Sequence, residues 1–305
     1  MDETAAPALS VGMPVYNGEP YLESSLASIL GQSFRDLELV ISDNASTDET
    51  EKICRHWATR DPRVRYFRND RNVGAAANYN RVFHLSRGRY FKWAAADDLL
   101  AEGFLGRCVA ELEKDPGVVL SYARTTIIGS DGQPLRPYED GLDLRQDCPV
   151  SRFRGFLDAV GECNAVFGVI RSDVLRRTPL IGHYVGSDIV LLAELSLHGP
   201  LHEIPDRLFL RRDHPEASSS NKDVSSQQDF FDPGIRGRAE MTVCRHHLHY
   251  LGAVRRSPLP GRQRRSLYTH VLRHAVWDRR RIRGELAAFL RTRFRIGTSS
   301  RKEKQ

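Results

Sequence analysis

Tyr90-Phe91-Lys92-Trp93-Ala94-Ala95-Ala96-Asp97-Asp98 decides how this chain is read. A strand-length apolar run, Tyr90 to Ala94, leads straight into two adjacent carboxylates. Working backwards, it is preceded by a helix-like stretch, Gly74 to Leu85, closed by Arg87-Gly88, and by three earlier strand-like runs. These are Leu9 to Pro14, stopped by its proline, Leu37 to Ser42, and Val64 to Phe67. Between the first two, Tyr21 to Leu30 places Leu22, Leu26, Ile29 and Leu30 on one helical face. Between the second and third, Ser46-Thr47-Asp48-Glu49 has the S-x-x-E form of a capping box, which predicts a helix starting there and running towards Arg60. Strands alternating with helices predict an α/β fold with a mostly parallel sheet flanked by helices on both faces. Such sheets bind ligands beyond the carboxyl ends of their strands. Those ends carry Pro14-Val15-Tyr16-Asn17, Asp43-Asn44 and Asp97-Asp98, so three polar clusters are expected to converge on one edge.

Working forwards, the pattern is more mixed. Val118 to Ile128 is strand-like and meets a turn at Ser130-Asp131-Gly132. Arg152 to Val160 and Ile189 to Leu197 read as helices. Leu208-Phe209-Leu210 reads as a strand leading into Arg211-Arg212-Asp213-His214. Ser218 to Asn221 reads as a loop, and Gln227 to Leu251 as mostly helical. An arginine-rich stretch follows.

The 305 residues suffice for one large α/β domain with an appendage. With 40% hydrophobic and 28% charged residues, the composition is that of an ordinary globular protein. No apolar run approaches bilayer-spanning length, and Met1 to Ala8 lacks the basic and apolar regions of a signal peptide. Five scattered cysteines without a CxxC pair indicate neither a zinc ribbon nor a disulfide framework. A cytoplasmic location is the expectation, because the cytoplasm keeps thiols reduced. The net charge of +6 is concentrated after Val254. That sets a helical basic extension over 226–305 apart from a domain over 1–225.

Two neighbouring carboxylates after a buried strand repel one another unless a cation sits with them. Asp97-Asp98 therefore suits Mg²⁺ or Mn²⁺ bridging a diphosphate, with a solvated turn as the plainer alternative. Asp43, at the end of the second strand, is placed to accept hydrogen bonds from a nucleobase or ribose, since Ser46 is the better-placed helix cap. Asp188, in Gly186-Ser187-Asp188 ahead of an apolar helix, is either a general base for an acceptor hydroxyl or a helix N-cap. His214, beside two arginines, suits a diphosphate–metal site. Cys244, His246, His247 and His249 invite a metal reading, but their spacing matches no usual ligand set, and an amphipathic helix surface is the preferred reading.

Taken together and in order, these segments resemble the family-2 glycosyltransferases with the GT-A fold. The resemblance runs from about Leu9 to Asn221 and implies that the domain has a nucleotide-binding part over 8–100 and an acceptor-side part over 101–225. It is carried by Ser10 to Asn17, Ile41 to Asp48, Asn72-Val73-Gly74 with Asn80, Ala96-Asp97-Asp98, Gly186-Ser187-Asp188, Gly199, Ile204-Pro205 and Arg212-Asp213-His214. It implies that Pro14, Val15, Asn17 and Asn80 lie on the nucleotide-sugar side. It further implies that Asp43 contacts the base, Asp97 the ribose or donor sugar, and Asp98 the metal, with His214 assisting. Asp188 would be the base of an inverting single displacement. Two positions depart from the family pattern: Ala95 replaces an Asp that many members carry, and Ser187 replaces the Glu of a common Glu-Asp pair. The Q-x-x-R-W signature of processive synthases is missing, so a single transfer is expected.

The donor is expected to be a UDP or dTDP sugar, dTDP-rhamnose included, and the acceptor a glycan, a lipid-linked glycan or a small metabolite. A sugar-nucleotide nucleotidyltransferase is the competing enzyme, but the loop after the first strand has one glycine and no basic residue for a triphosphate. A non-enzymatic basic module is the other alternative, and the aromatic platforms or reading helix of a nucleic-acid binder are missing. In the tail, apolar residues from Val276 to Phe294 recur among arginines, which predicts an amphipathic helix. It would either pack on the domain or contact an anionic membrane from the cytoplasmic side.

Overall fold

β1 (Leu9–Val15) and β2 (Leu37–Asp43) are buried along their whole length, as central parallel strands covered on both faces must be. Their alternation sorts side chains between two cores. Leu9, Val11, Met13, Val15, Leu37, Leu39 and Ile41 enter one, while Val40 enters the other. Gly12 also faces that second side. A Cβ there would lie 2.8 Å from the Phe91 ring and from Val82, so the glycine lets α3 (Ala75–Leu85) close on the sheet. The computed structural model describes residues 6–217 and 241–302, with side chains up to Arg291.

Among these residues the sheet has nine strands in the order β3-β2-β1-β4-β8-β6-β9-β5, with β7 paired to β6. β3 (Val64–Arg68), β2, β1 and β4 (Tyr90–Trp93) are parallel to one another. The second half is mixed. β8 (Val169–Arg171) sits antiparallel between β4 and β6 (Leu120–Ile128). β9 (Leu201–Arg212) runs parallel to β6, while β5 (Leu99–Leu100) and β7 (Pro134–Tyr138) are antiparallel additions. The expected parallel sheet is thus its first four strands, and Leu208 to Leu210 is the end of a strand of twelve residues.

α1 (Glu19–Leu30), α2 (Thr50–Arg60) and α4 (Phe104–Lys114) cover one face. α3, α5 (Pro149–Ala159), α6 (Ser172–Leu175), α7 (Ser187–His198), α8 (Thr242–Arg256) and α9 (Gly261–Trp277) cover the other. Tyr250, Ala253 and Val254 of α8, and Leu267 and Val271 of α9, belong to the same core as α5 and α7. α10 (Arg279–Lys302) is the last described helix. Among the described residues no helix is long and apolar enough to cross a membrane.

The capping-box expectation is corrected. α2 begins at Thr50 rather than at Ser46. The Ser46 hydroxyl instead accepts from the Asn17 amide at 2.9 Å, and Asp48 Oδ1 accepts from the Thr50 amide at 3.1 Å. The Ser218–Asn221 loop and the part of the expected helix before Met241 lie outside the described residues.

Candidate active site

The parallel register sets Pro14 beside Ser42 and Val15 beside Asp43, so the ends of β1 and β2 open at one level. Asn17 helps tie together the loops that follow. Asn17, at φ 51°, donates its amide to Ser46 Oγ, and its Oδ1 accepts from the Thr47 amide at 2.9 Å. Pro14 and Val15 are buried beneath this junction, and Asn17 is exposed on it. Asp43 is buried, and both its oxygens are engaged. Oδ1 accepts from the Ser46 amide at 2.8 Å; Oδ2 accepts from the Tyr66 hydroxyl at 2.8 Å and from the Arg68 guanidinium. Asn80 holds a different loop: its amide bonds both the carbonyl and the N–H of Ile181, at 2.9 and 3.0 Å. That loop leads to Asp188.

Beyond β4, Arg212 organises the two carboxylates without neutralising them. Its backbone N–H donates to Asp98 Oδ1 at 2.9 Å. Its guanidinium is spent on the carbonyls of Asp97, Gly129 and Ser130 and lies over the Tyr21 ring, 4.6 Å from its centroid. His214 Nε2 sits 3.0 Å from Asp97 Oδ2, and that carboxylate raises the imidazole pKa. Burial, reinforced by the Asp97 charge, pushes Asp98 up to about 7. The charges of Arg211 and Lys92 lower it without offsetting burial. Two carboxylates and one imidazole form a donor set that hard divalent cations such as Mg²⁺ and Mn²⁺ accept, so the residues present fit such an ion.

Asp188 stands in the first turn of α7. Gly186 occupies the N-cap position at φ 77°, and no side chain caps the helix, so Asp188 is not its N-cap. Burial raises the Asp188 pKa, which makes its carboxylate a stronger base than an exposed one. Sequence reasoning missed Tyr79, on α3. Its hydroxyl feels Asp97, Asp98 and Asp188 together, and this, after burial, holds its pKa up. Its only sequence signal was its place next to Asn80.

The histidines of α8 are engaged separately. His246 Nε2 is 2.9 Å from the Val185 carbonyl, His249 stacks on Tyr184 with centroids 4.4 Å apart, and His247 Nε2 is 3.1 Å from Asp278. His246 and His249 thus brace the loop ahead of Asp188 while His247 holds the end of α9, so these three do not gather around a point.

Residues 10–177 match the family described as Glycosyl transferase family 2, and the chain belongs to that family. Its sheet and flanking helices form the GT-A glycosyltransferase fold. Among curated relatives, a GalNAc(5)-diNAcBac-PP-undecaprenol beta-1,3-glucosyltransferase of Campylobacter jejuni is 27% identical over 192 residues, covering 62% of this chain and 60% of its own. Among solved structures, S. aureus TarS in complex with UDP-GlcNAc superposes with a TM-score of 0.65 at 16% identity, over 93% of this chain and 81% of that one. A mannosyltransferase from Pyrobaculum calidifontis, in complex with GDP-Man and Mn²⁺, gives a TM-score of 0.54 at 19% identity, over 99% and 82%. The chain spans 48%, 38% and 18% of the lengths of three other curated relatives it matches. The family match favours the glycosyltransferase reading over the nucleotidyltransferase one.

Proposed function

We propose that the protein transfers one sugar from a UDP or dTDP sugar to an acceptor hydroxyl, with inversion and with Mn²⁺ or Mg²⁺ held by Asp98 and His214. The observation that carries this is the Asp97-Asp98 pair beyond the carboxyl end of β4, with His214 3.0 Å from Asp97 and Asp98 buried and bonded by the Arg212 backbone N–H. A divalent cation bound there supplies charge neutralisation for the leaving diphosphate. Pro14, Val15 and Asn17 line the nucleotide side, and Asp43, Asn80 and Asp97 belong to it as well. Asp188 takes the proton of the acceptor hydroxyl. The freed oxygen forms the new bond at the anomeric carbon from the face opposite the diphosphate, whose bond to the sugar breaks.

The neighbours that bind UDP, UDP-GlcNAc or GDP-Man support a nucleotide-sugar donor. UDP and dTDP are separated by titrating each against the protein with and without Mn²⁺, followed by a donor-hydrolysis panel that includes dTDP-rhamnose. Neither nucleotide binding in the presence of metal would end this reading.

A lipid-linked acceptor at the cytoplasmic face of a membrane is favoured by one observation. Leu272, Val276 and Trp277 of α9, and Leu286 and Leu290 of α10, are exposed large hydrophobics. Arg273, Arg279, Arg280, Arg281 and Arg283 are interspersed with them and are likewise exposed. Apolar area within a basic surround is the chemistry that binds anionic lipid. Five free thiols fit the reducing side of such a membrane. In co-sedimentation, anionic vesicles should retain the protein, neutral vesicles should not, and salt should release it. Equal recovery with both lipids would remove the membrane contact while leaving the transferase reading intact.

A further inference from the structure

His270 and His274 stand four residues apart on α9, so their rings leave the helix on one side. Facing them is Asp158, near the end of α5, which packs against α9. His270 Nε2 and His274 Nε2 are 3.1 Å apart, and His274 Nε2 is 3.4 Å from Asp158 Oδ1. All three donor atoms lie within 4.8 Å of one another. A tetrahedral ion with bonds of about 2.0–2.1 Å sets its ligand atoms about 3.3 Å apart, so two edges of the tetrahedron already have nearly the right length. Nothing in the glycosyl-transfer site uses these residues. We propose that His270, His274 and Asp158 bind a Zn²⁺-class transition metal ion, with water as the fourth ligand, and that this ion fastens α9 to the catalytic half.

The ligands are of two kinds. His270 is buried and His274 largely so, while Asp158 is exposed. The ion would therefore be held by two imidazoles from inside and reached from solvent past the carboxylate. Two imidazoles favour Zn²⁺ and its neighbours over the Mg²⁺ that oxygen ligands select, which separates this site from Asp98.

Two cations oppose the ion. Arg154 is fastened to Ser266 at 2.8 Å, which leaves its charge close by. Arg273 Nη2 donates to His270 Nδ1 at 2.9 Å, which assigns the ring proton to Nε2, the atom that would ligate. Metal binding therefore requires the proton to move to Nδ1 and the exposed Arg273 to turn away. That sets a sign: removing Arg273 should strengthen the site.

The test is Zn²⁺ titration of the full chain against a chromophoric chelator, with Co²⁺ absorbance as the geometric readout. The parent should bind one Zn²⁺ that survives saturating Mg²⁺, and Co²⁺ should give the intense visible bands of tetrahedral coordination. His274→Gln should abolish this site. Asp158→Asn, on an exposed side chain that does not threaten folding, should weaken it roughly tenfold or more, and Arg273→Ala should tighten it severalfold. Zn²⁺ should raise Tm in the parent and leave it unchanged in His274→Gln. Equal affinity in the parent and Asp158→Asn, or weaker binding in Arg273→Ala, would overturn the site. So would octahedral Co²⁺ spectra or no retained Zn²⁺.

Discussion

Glu38 and Asp98 are buried carboxylates at opposite ends of the parallel strands, and the protein treats them differently. Glu38, near the start of β2, accepts from Ser10 Oγ at 2.6 Å, from Arg65 at 2.7 Å and from the Arg87 amide at 2.7 Å. Burial pushes its pKa up, but those bonds outweigh it and the net shift is downward. Asp98 receives a backbone N–H from Arg212 and no guanidinium, and burial keeps its pKa up. The amino edge is electrostatically closed. At the carboxyl edge Asp43 is paired with Arg68, while Asp98 is left with a charge deficit that a bound cation would remove. Local stability and ligand demand are thus divided between the two ends of one sheet.

The largest expected effect breaks the open end. Asp98→Asn should lower Mn²⁺-dependent transfer by roughly three orders of magnitude or more, several kcal/mol of lost charge stabilisation, and should remove metal-dependent nucleotide binding. Activity and calorimetric titration check this, and full transfer by Asp98→Asn would sink the assignment. Asp188→Asn should retain donor affinity while kcat falls by about two to four orders of magnitude, the scale of a lost general base. Steady-state kinetics with the donor Kd measured in parallel separates the two roles; wild-type turnover in a folded variant would place the base elsewhere.

At the closed end the expected change is in stability. Glu38→Gln should lose about 1–3 kcal/mol in urea unfolding at neutral pH. That is less than a fully buried broken pair, because Arg65 and Arg87 are partly solvated. Its kcat should be unchanged. Since the folded pKa of Glu38 is lowered, this contribution is present above the unfolded value of about 4.5 and is lost as pH falls below it. The smallest effect has the opposite sign. The Asp98 pKa is raised, so in EDTA its contribution is full below about pH 4 and lost as pH rises through about 7. Asp98→Asn should therefore stabilise the metal-free protein at pH 8, on the order of 1–2 kcal/mol, and not at pH 4. Equal pH profiles of Tm for parent and variant would refute the charge deficit.

The carboxyl edge was legible because each of its parts is local: a strand and the polar residues immediately after it. Asp97-Asp98 and Asp43-Asn44 needed no knowledge of distant contacts. β8 was not legible, because three residues carry no periodicity, and its insertion between β4 and β6 is decided by pairing across the chain. Ser46 looked like a cap because the motif is local, but its hydroxyl is recruited by Asn17, 29 residues away. Asn80 and Arg212 were visible as motif members, while their partners, Ile181 and the carbonyls of Asp97, Gly129 and Ser130, were not. The pairing of Asp158 with His274 is hidden for the same reason, since only the helical spacing of the two histidines shows in one sequence.

The placement of α8 and α9 in the main core bears on how the chain can be cut or recombined. Tyr250, Val254, Leu267 and Val271 are buried against elements that precede Pro200. At roughly 2 kcal/mol for each buried side chain, their removal forfeits about 8 kcal/mol, comparable with the whole ~5–15 kcal/mol margin of a folded domain. A fragment ending at Ala217 would retain every residue assigned to the chemistry and still expose an apolar face where those helices had been. Exchange of the carboxyl-terminal helices between related transferases would accordingly succeed only as a swap of matched surfaces, with α5 and α7 travelling alongside them.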